Sequence, residues 1–142
     1  MESRVMRTLE WQDEYTVGVK ELDDQHRSLL DTINTLLEEQ QDKYEAAKFS
    51  STLSSLIHYA YTHFATEERY LIQANFPDLK QHVLEHVGFI TKTLSLTAKL
   101  ENGGDESRRE LLRYLKEWYS NHVLGADRHY IPFLASKKNT KL

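Results

Sequence analysis

The sequence predicts an all-α protein: an antiparallel, up-down-up-down four-helix bundle with an N-terminal arm and a short C-terminal tail helix. Three observations carry this reading. Four stretches repeat apolar residues at the three-and-four spacing of a single helix face. Only two prolines, Pro77 and Pro132, interrupt the chain, so long segments are free to be helical. Strand signals are nearly absent, and the short connections make consecutive helices antiparallel neighbours.

Residues 1–20 carry Trp11, Tyr15, Val17 and Gly18 without a clear period and read as an ordered arm. The first helix opens near Asp23, a good N-cap, and its stripe is Leu29, Leu30, Ile33, Leu36 and Leu37. It fades over the polar residues 38–42. The second runs from about residue 45 to 74, with Phe49, Leu53, Leu56, Ala60, Phe64 and Leu71 in period. Pro77 stops it, because the residue before a proline is pushed out of the helical region. The third runs from about residue 78 to 101, with Leu79, Val83, Phe89, Ile90, Leu94, Leu96 and Leu100, and Asn102-Gly103-Gly104 supplies a left-handed terminus. The fourth runs from about residue 106 to 124, with Leu111, Leu112, Leu115 and Trp118. A tail helix is expected around residues 131–134. The chain reads as one domain over 1–142, with an arm at 1–22, the bundle at about 23–127 and a tail at 128–142.

Composition narrows the function. The 142 residues fit one domain with one core. With 28% charged and 39% hydrophobic residues, neither a disordered tail nor a membrane span is expected. A net charge of −4 argues against a nucleic-acid surface. The absence of cysteine excludes disulfide scaffolds, thiolate metal sites and thiol nucleophiles. No apolar leader opens the chain, so a cytoplasmic protein is expected.

Seven histidines are the informative feature. His26 extends the stripe of the first helix. His63 and Glu67 lie four apart on the second, and His82 and His86 lie four apart on the third. His122 follows Leu115 and Trp118 on the fourth, with Asp127 five later. Residues four apart on a helix share a face, so these side chains are read as facing inward. With a rise of about 1.5 Å per residue, each histidine stands roughly 21–27 Å from the opposite end of its helix. Antiparallel threading therefore brings all seven side chains to one level. Five buried histidines and two buried acids are costly unless something binds them. His58 and His129 fall off this pattern and are read as non-ligands.

Imidazoles with carboxylates suit iron, zinc, copper or manganese. Seven ligands are too many for one ion and right for two. If each carboxylate bridges and the histidines divide three and two, the metals have five and four protein donors. A bridging oxide or hydroxide completes one octahedron and leaves one position open on the two-histidine metal. An open site on a redox-active pair in an apolar pocket suits dioxygen.

The residues around these positions resemble a known family. Trp11, Val17-Gly18-Val19 and Leu22-Asp23-Asp24-Gln25-His26 look like the opening of bacterial hemerythrins. His63-Phe64-Ala65-Thr66-Glu67-Glu68, then Phe76-Pro77 with His82 and His86, then His122 through Asp127, are similar to the segments that follow, over about residues 10 to 133. The resemblance implies two irons with a bridging oxide or hydroxide, and reversible dioxygen binding for storage, delivery or sensing rather than enzymatic activity. It implies that His82, His86 and His122 hold one iron, that His26 and His63 hold the oxygen-binding iron, and that Glu67 and Asp127 bridge. Glu68 is then an outer-shell or surface residue. Leu29, Phe64, Trp118, Tyr119 and Val123 fall where the family walls its oxygen pocket.

Tyr119 is a departure, since that position is usually leucine in the family. Its hydroxyl either reaches a backbone group or touches the bound ligand. Two rival functions stand beside the resemblance. One is a di-iron oxidase or peroxide-reducing enzyme on the same site. The other is a zinc hydrolase, because His82-Val83-Leu84-Glu85-His86 fits an inverted zinc-protease pattern with Glu85 as base. That pattern leaves the remaining histidines unexplained, and Glu85, next to His86, is expected to point away from the ligand face.

Overall fold

The computed structural model describes residues 6–134. The ends of the expected arm and tail, residues 1–5 and 135–142, lie outside the described residues. Among the described residues, four long helices build the bundle: α1 (Lys20–Gln41), α2 (Ala46–Gln73), α3 (Leu79–Ala98) and α4 (Leu100–Asn121). α1 packs on α2, α2 on α3 and α3 on α4, and α4 closes the ring on α1. That is the expected up-down-up-down bundle.

The helix ends refine the sequence reading. α1 starts at Lys20, and Asp23 lies in its first turn rather than capping it. The Asp23 carboxylate instead accepts the backbone N–H groups of Val17 (2.7 Å) and Gly18 (3.3 Å), tying the arm to α1. Gly18 has φ +92°, which only glycine adopts without strain. α2 ends in a Schellman motif: the Phe76 N–H bonds to the Leu71 carbonyl, the Asn75 N–H bonds to the Ile72 carbonyl, and Asn75 has φ +54°. Asn75, two residues before Pro77, therefore makes the turn. α3 stops at Ala98, three residues before the expected end, and the glycine break falls inside α4, where Gly104 has φ +57°. Beyond Asn121 the chain does not continue as an α-helix. Residues His122–Asp127 form a π-helical turn, and a short helical segment covers 131–134.

The apolar side chains form two clusters with a polar layer between them. The larger contains Leu29, Ile33, Leu36, Phe49, Leu56, Phe89, Leu112 and Leu115, among others. The smaller holds Val17, Leu22, Leu71, Phe76, Tyr130 and Leu134. α1 and α2 cross from one to the other: His26 lies between Leu22 and Leu29, and Glu67 lies between Ala60 and Leu71. The arm has more structure than its irregular sequence suggests. A 3-10 turn over Asp13–Tyr15 buries Tyr15 edge-on against Tyr119, with ring centroids 5.4 Å apart. Asn34 clamps the arm by exchanging two hydrogen bonds with the Leu9 backbone.

Candidate metal centre

All seven side chains singled out by their positions on the helix faces are buried, and they meet in the polar layer. They form two groups, each with ligand atoms within 4.8 Å of one another: Glu67, His82, His86 and His122 in one, and His26, His63, Glu67 and Asp127 in the other. Both carboxylates face both groups through different oxygens. Glu67 Oε1 lies 2.6 Å from His82 Nε2 and 2.9 Å from His86 Nε2, while its Oε2 lies 3.4 Å from His63 Nε2 and 3.7 Å from His26 Nε2. Asp127 Oδ1 lies 2.9 Å from His122 Nε2 and 3.2 Å from His82 Nε2, while its Oδ2 lies 3.1 Å from His26 Nε2. His58 and His129 lie outside this cluster, and both are exposed.

The π-helical turn explains how Asp127 joins His122. On an α-helix, five residues turn the chain through roughly 500°, leaving the second side chain about 140° away from the first. In a π-turn the hydrogen bonds run from i to i+5, so residues five apart stack. The extra residue in the turn thus aims Asp127 into the layer.

Partners outside the cluster set the direction of the rings. His63 Nδ1 lies 2.7 Å from Gln25 Oε1, His86 Nδ1 lies 2.7 Å from Glu68 Oε2, and His122 Nδ1 lies 3.0 Å from Glu85 Oε1. Each oxygen accepts, so each Nδ1 donates, which leaves Nε2 to present its lone pair inward when the ring is neutral. Glu68 touches the cluster only from behind the His86 ring. Glu85 does avoid the Nε2 atoms, but it leans across to the π-helical turn and holds His122, which the sequence did not indicate. Two functional side chains were missed outright. Gln25 adjoins His26 in sequence yet serves His63, and Tyr130, fully buried, donates its hydroxyl to Glu67 Oε2 at 2.9 Å. The only sequence signal for Tyr130 is that it comes three residues after Asp127.

Rings also hold the rings. Phe64 stacks on His86 with centroids 3.9 Å apart, and Trp118 stacks on His122 at 4.3 Å. Leu29, Phe64, Tyr119 and Val123 are buried in the larger cluster, and Trp118 packs against it. The Tyr119 hydroxyl donates to the His26 carbonyl at 2.8 Å, the backbone-group alternative of the two. Burial keeps that phenol well above its usual range of ionisation.

The electrostatics are those of a cluster built around positive charge. Burial disfavours protonated His26 and His82, but Asp127 and Glu67 outweigh it and lift both to about 10. His122 is raised in the same way, largely by Asp127. Burial prevails at His63 and lowers it. Burial opposes the charge on both carboxylates, yet the surrounding histidines hold Glu67 and Asp127 well below the ordinary carboxylate range. Protons alone do not complete the site. Nε2 of His26, His86 and His122 and both carboxylate oxygens of Asp127 are buried, and although they approach neighbours in the cluster at 2.9–3.2 Å, none of these contacts has hydrogen-bond geometry. Orphaned atoms of this kind, converging from five imidazoles and two carboxylates, fit the donor set of divalent or trivalent transition metals.

Comparison with known proteins points the same way. Residues 17–134 match the family model described as the hemerythrin HHE cation binding domain. The chain is 31% identical to a bacteriohemerythrin of Clostridium acetobutylicum over 125 residues, covering 85% of this chain and 97% of the relative. It is 30% identical to a myohemerythrin of Riftia pachyptila over 120 residues, covering 84% and 88%. Among solved structures, a wild-type hemerythrin superposes with a TM-score of 0.81 at 26% identity, covering 91% of this chain and 99% of that one. A hemerythrin variant with tyrosine in place of a leucine also superposes at 0.81, with 27% identity and coverage of 92% and 99%.

Proposed function

The chain belongs to the hemerythrin family, and from that premise we propose that it binds dioxygen reversibly at a non-haem di-iron centre. The reading takes residues 1–142 as one such domain and His26, His63, Glu67, His82, His86, His122 and Asp127 as the ligands. A single observation supports it most: Glu67 and Asp127 each turn one oxygen to the three-histidine group and the other to the two-histidine group. Two carboxylates so divided serve two ions, not one.

His82, His86 and His122, with Glu67 Oε1 and Asp127 Oδ1, make five donors. His26 and His63, with Glu67 Oε2 and Asp127 Oδ2, would offer the other iron four, so the side with fewer protein donors would be the one with room for dioxygen. Iron held there would supply the reversible two-electron redox chemistry that dioxygen binding needs, which zinc would not. The protein keeps the ligands aimed and the surroundings dry. Gln25, Glu68 and Glu85 fix the ring orientations, and Leu29, Phe64, Tyr119 and Val123, with Trp118 packed against them, put apolar surface beside the histidines that would keep water from the centre. The Tyr119 hydroxyl, engaged by the His26 carbonyl, adds no free proton donor to that wall. The reading is of a carrier, store or sensor of oxygen rather than an enzyme. None of the described helices is long and apolar enough to cross a membrane.

The test is metal content with optical spectroscopy. The purified chain should hold two irons, be nearly colourless when reduced under nitrogen, and gain and lose colour reversibly with air. One zinc per chain and no response to oxygen overturns the proposal. Sustained consumption of peroxide, or formation of an organic product, favours an oxidase instead.

A further inference from the structure

The two halves of the centre differ in what stands behind their histidines. Behind the three-histidine half are two carboxylates, Glu68 at His86 Nδ1 (2.7 Å) and Glu85 at His122 Nδ1 (3.0 Å). Behind the two-histidine half is a neutral amide, Gln25 at His63 Nδ1 (2.7 Å), and the Nδ1 of His26 is buried without a partner. A carboxylate accepting the Nδ1 proton pushes electron density through the imidazole and makes Nε2 a stronger donor, whereas an amide oxygen does so weakly. The Glu68 and Glu85 side chains are 28% and 37% exposed, so water screens their charge in part and leaves the remainder acting along the hydrogen bond.

From this we infer that Glu68 and Glu85 are positioning residues that set an electronic asymmetry across the centre. They make the three-histidine half the more electron-rich donor set and the better holder of the higher metal charge, while Gln25 leaves the two-histidine half poorer in electron density. The inference rests on the two-metal reading above and adds an assignment to it: the difference between the halves lies in charge behind the rings as well as in the number of rings. Gln25, on α1, and Glu68, on the neighbouring α2, are then counterparts whose difference in charge is functional.

The experiment exchanges charge while preserving the acceptor oxygen. Glu68→Gln, Glu85→Gln, the double variant and the reverse change Gln25→Glu are prepared with iron, and iron per chain, the midpoint potential of the centre and the melting temperature of the metal-free form are measured. The double variant should keep two irons, because each amide oxygen still accepts its Nδ1 proton, and the melting curve of its metal-free form checks that the fold is kept. Its potential should rise by about 59 mV, a tenfold change in the one-electron equilibrium, with the single variants in between. Gln25→Glu should shift the potential the opposite way. Glu85→Ala, which removes charge and acceptor together, should lose iron as well, separating orientation from charge. If the wild-type chain does not take up two irons, the functional reading falls and takes this inference with it. If the wild type takes up two irons and the Gln variants keep its potential, the inference alone is overturned. Should the double variant lose iron, Glu85→Gln alone decides, with a rise expected and no change refuting.

Discussion

Metal uptake by the stripped protein should keep strengthening with pH far above the range where an ordinary histidine has already lost its proton. The perturbation is a pH series from about 7 to about 8.5, bracketed by the ordinary histidine value near 6.5 and the raised values of the cluster. In the metal-free fold, the charges of Glu67 and Asp127 overcome burial and lift His26 and His82 to about 10. Both rings are therefore protonated across the series, and a metal must displace both protons. Each displaced proton adds a tenfold gain in apparent affinity per pH unit, so two give about a hundredfold, or roughly 2.7 kcal/mol per unit. Glu67 and Asp127, held low, are already ionised and release nothing. The linkage to stability has the opposite sign for the stripped chain. The raised histidines contribute stability that is complete below their unfolded value near 6.5 and is lost as pH climbs through about 10. The lowered carboxylates contribute stability present above their unfolded values near 4 and lost in acid as pH falls through their low folded values. The gap in melting temperature between loaded and stripped protein should thus widen with pH. The assay is an anaerobic ferrous titration against a coloured chelator, with calorimetry in two buffers of different ionisation enthalpy to count protons. At least two protons should leave per chain. An affinity that is flat above about pH 7.5, with less than one proton released, would refute the charged-cluster argument.

Three further outcomes follow from named contacts. Glu67→Ala should cut iron per chain more deeply than His26→Ala, because Glu67 faces both histidine groups and His26 only one, as elemental analysis of the two variants will show. Tyr130→Phe should keep two irons yet lose about 1.5–3 kcal/mol in chemical denaturation, the range for a hydrogen bond to a charged group, since its hydroxyl donates to the buried Glu67 carboxylate; an unchanged midpoint would show that bond to be idle. Tyr119→Phe removes a bond to a backbone carbonyl, so it should cost about 1 kcal/mol and leave the decay rate of the oxygenated form unchanged. Faster or slower decay would mean that the hydroxyl reaches the bound ligand after all.

How much was legible in the sequence depended on how local the signal was. The pairs His63/Glu67 and His82/His86 declare themselves because four residues return a helix to the same face. The common level of the five histidines and Glu67 follows from helix length and antiparallel order alone. The boundaries were less legible, because turns are decided by competition among neighbours. Asp23 has a cap's chemistry, yet α1 begins three residues earlier and Asp23 is used by the arm. Pro77 marks the end of α2, but Asn75 makes the turn.

The sequence by itself determined the helical class, the number of long helices and the identity of the inward histidines and Glu67, because periodicity is a property of one segment. Only the tertiary structure decided what depends on rotation of one helix against another. It aimed Gln25 of α1 at His63 of α2, and Glu85 of α3 at His122, next to the end of α4. It brought Tyr130 back onto Glu67, 63 residues away in the chain. It also formed the π-turn, for which five-residue spacing is no signal on an α-helix, and so brought Asp127 to the same layer as His122. These contacts are set by how the stripes pack and by the angles at which the helices face one another, and that information is spread over the whole core rather than written beside the residues it places.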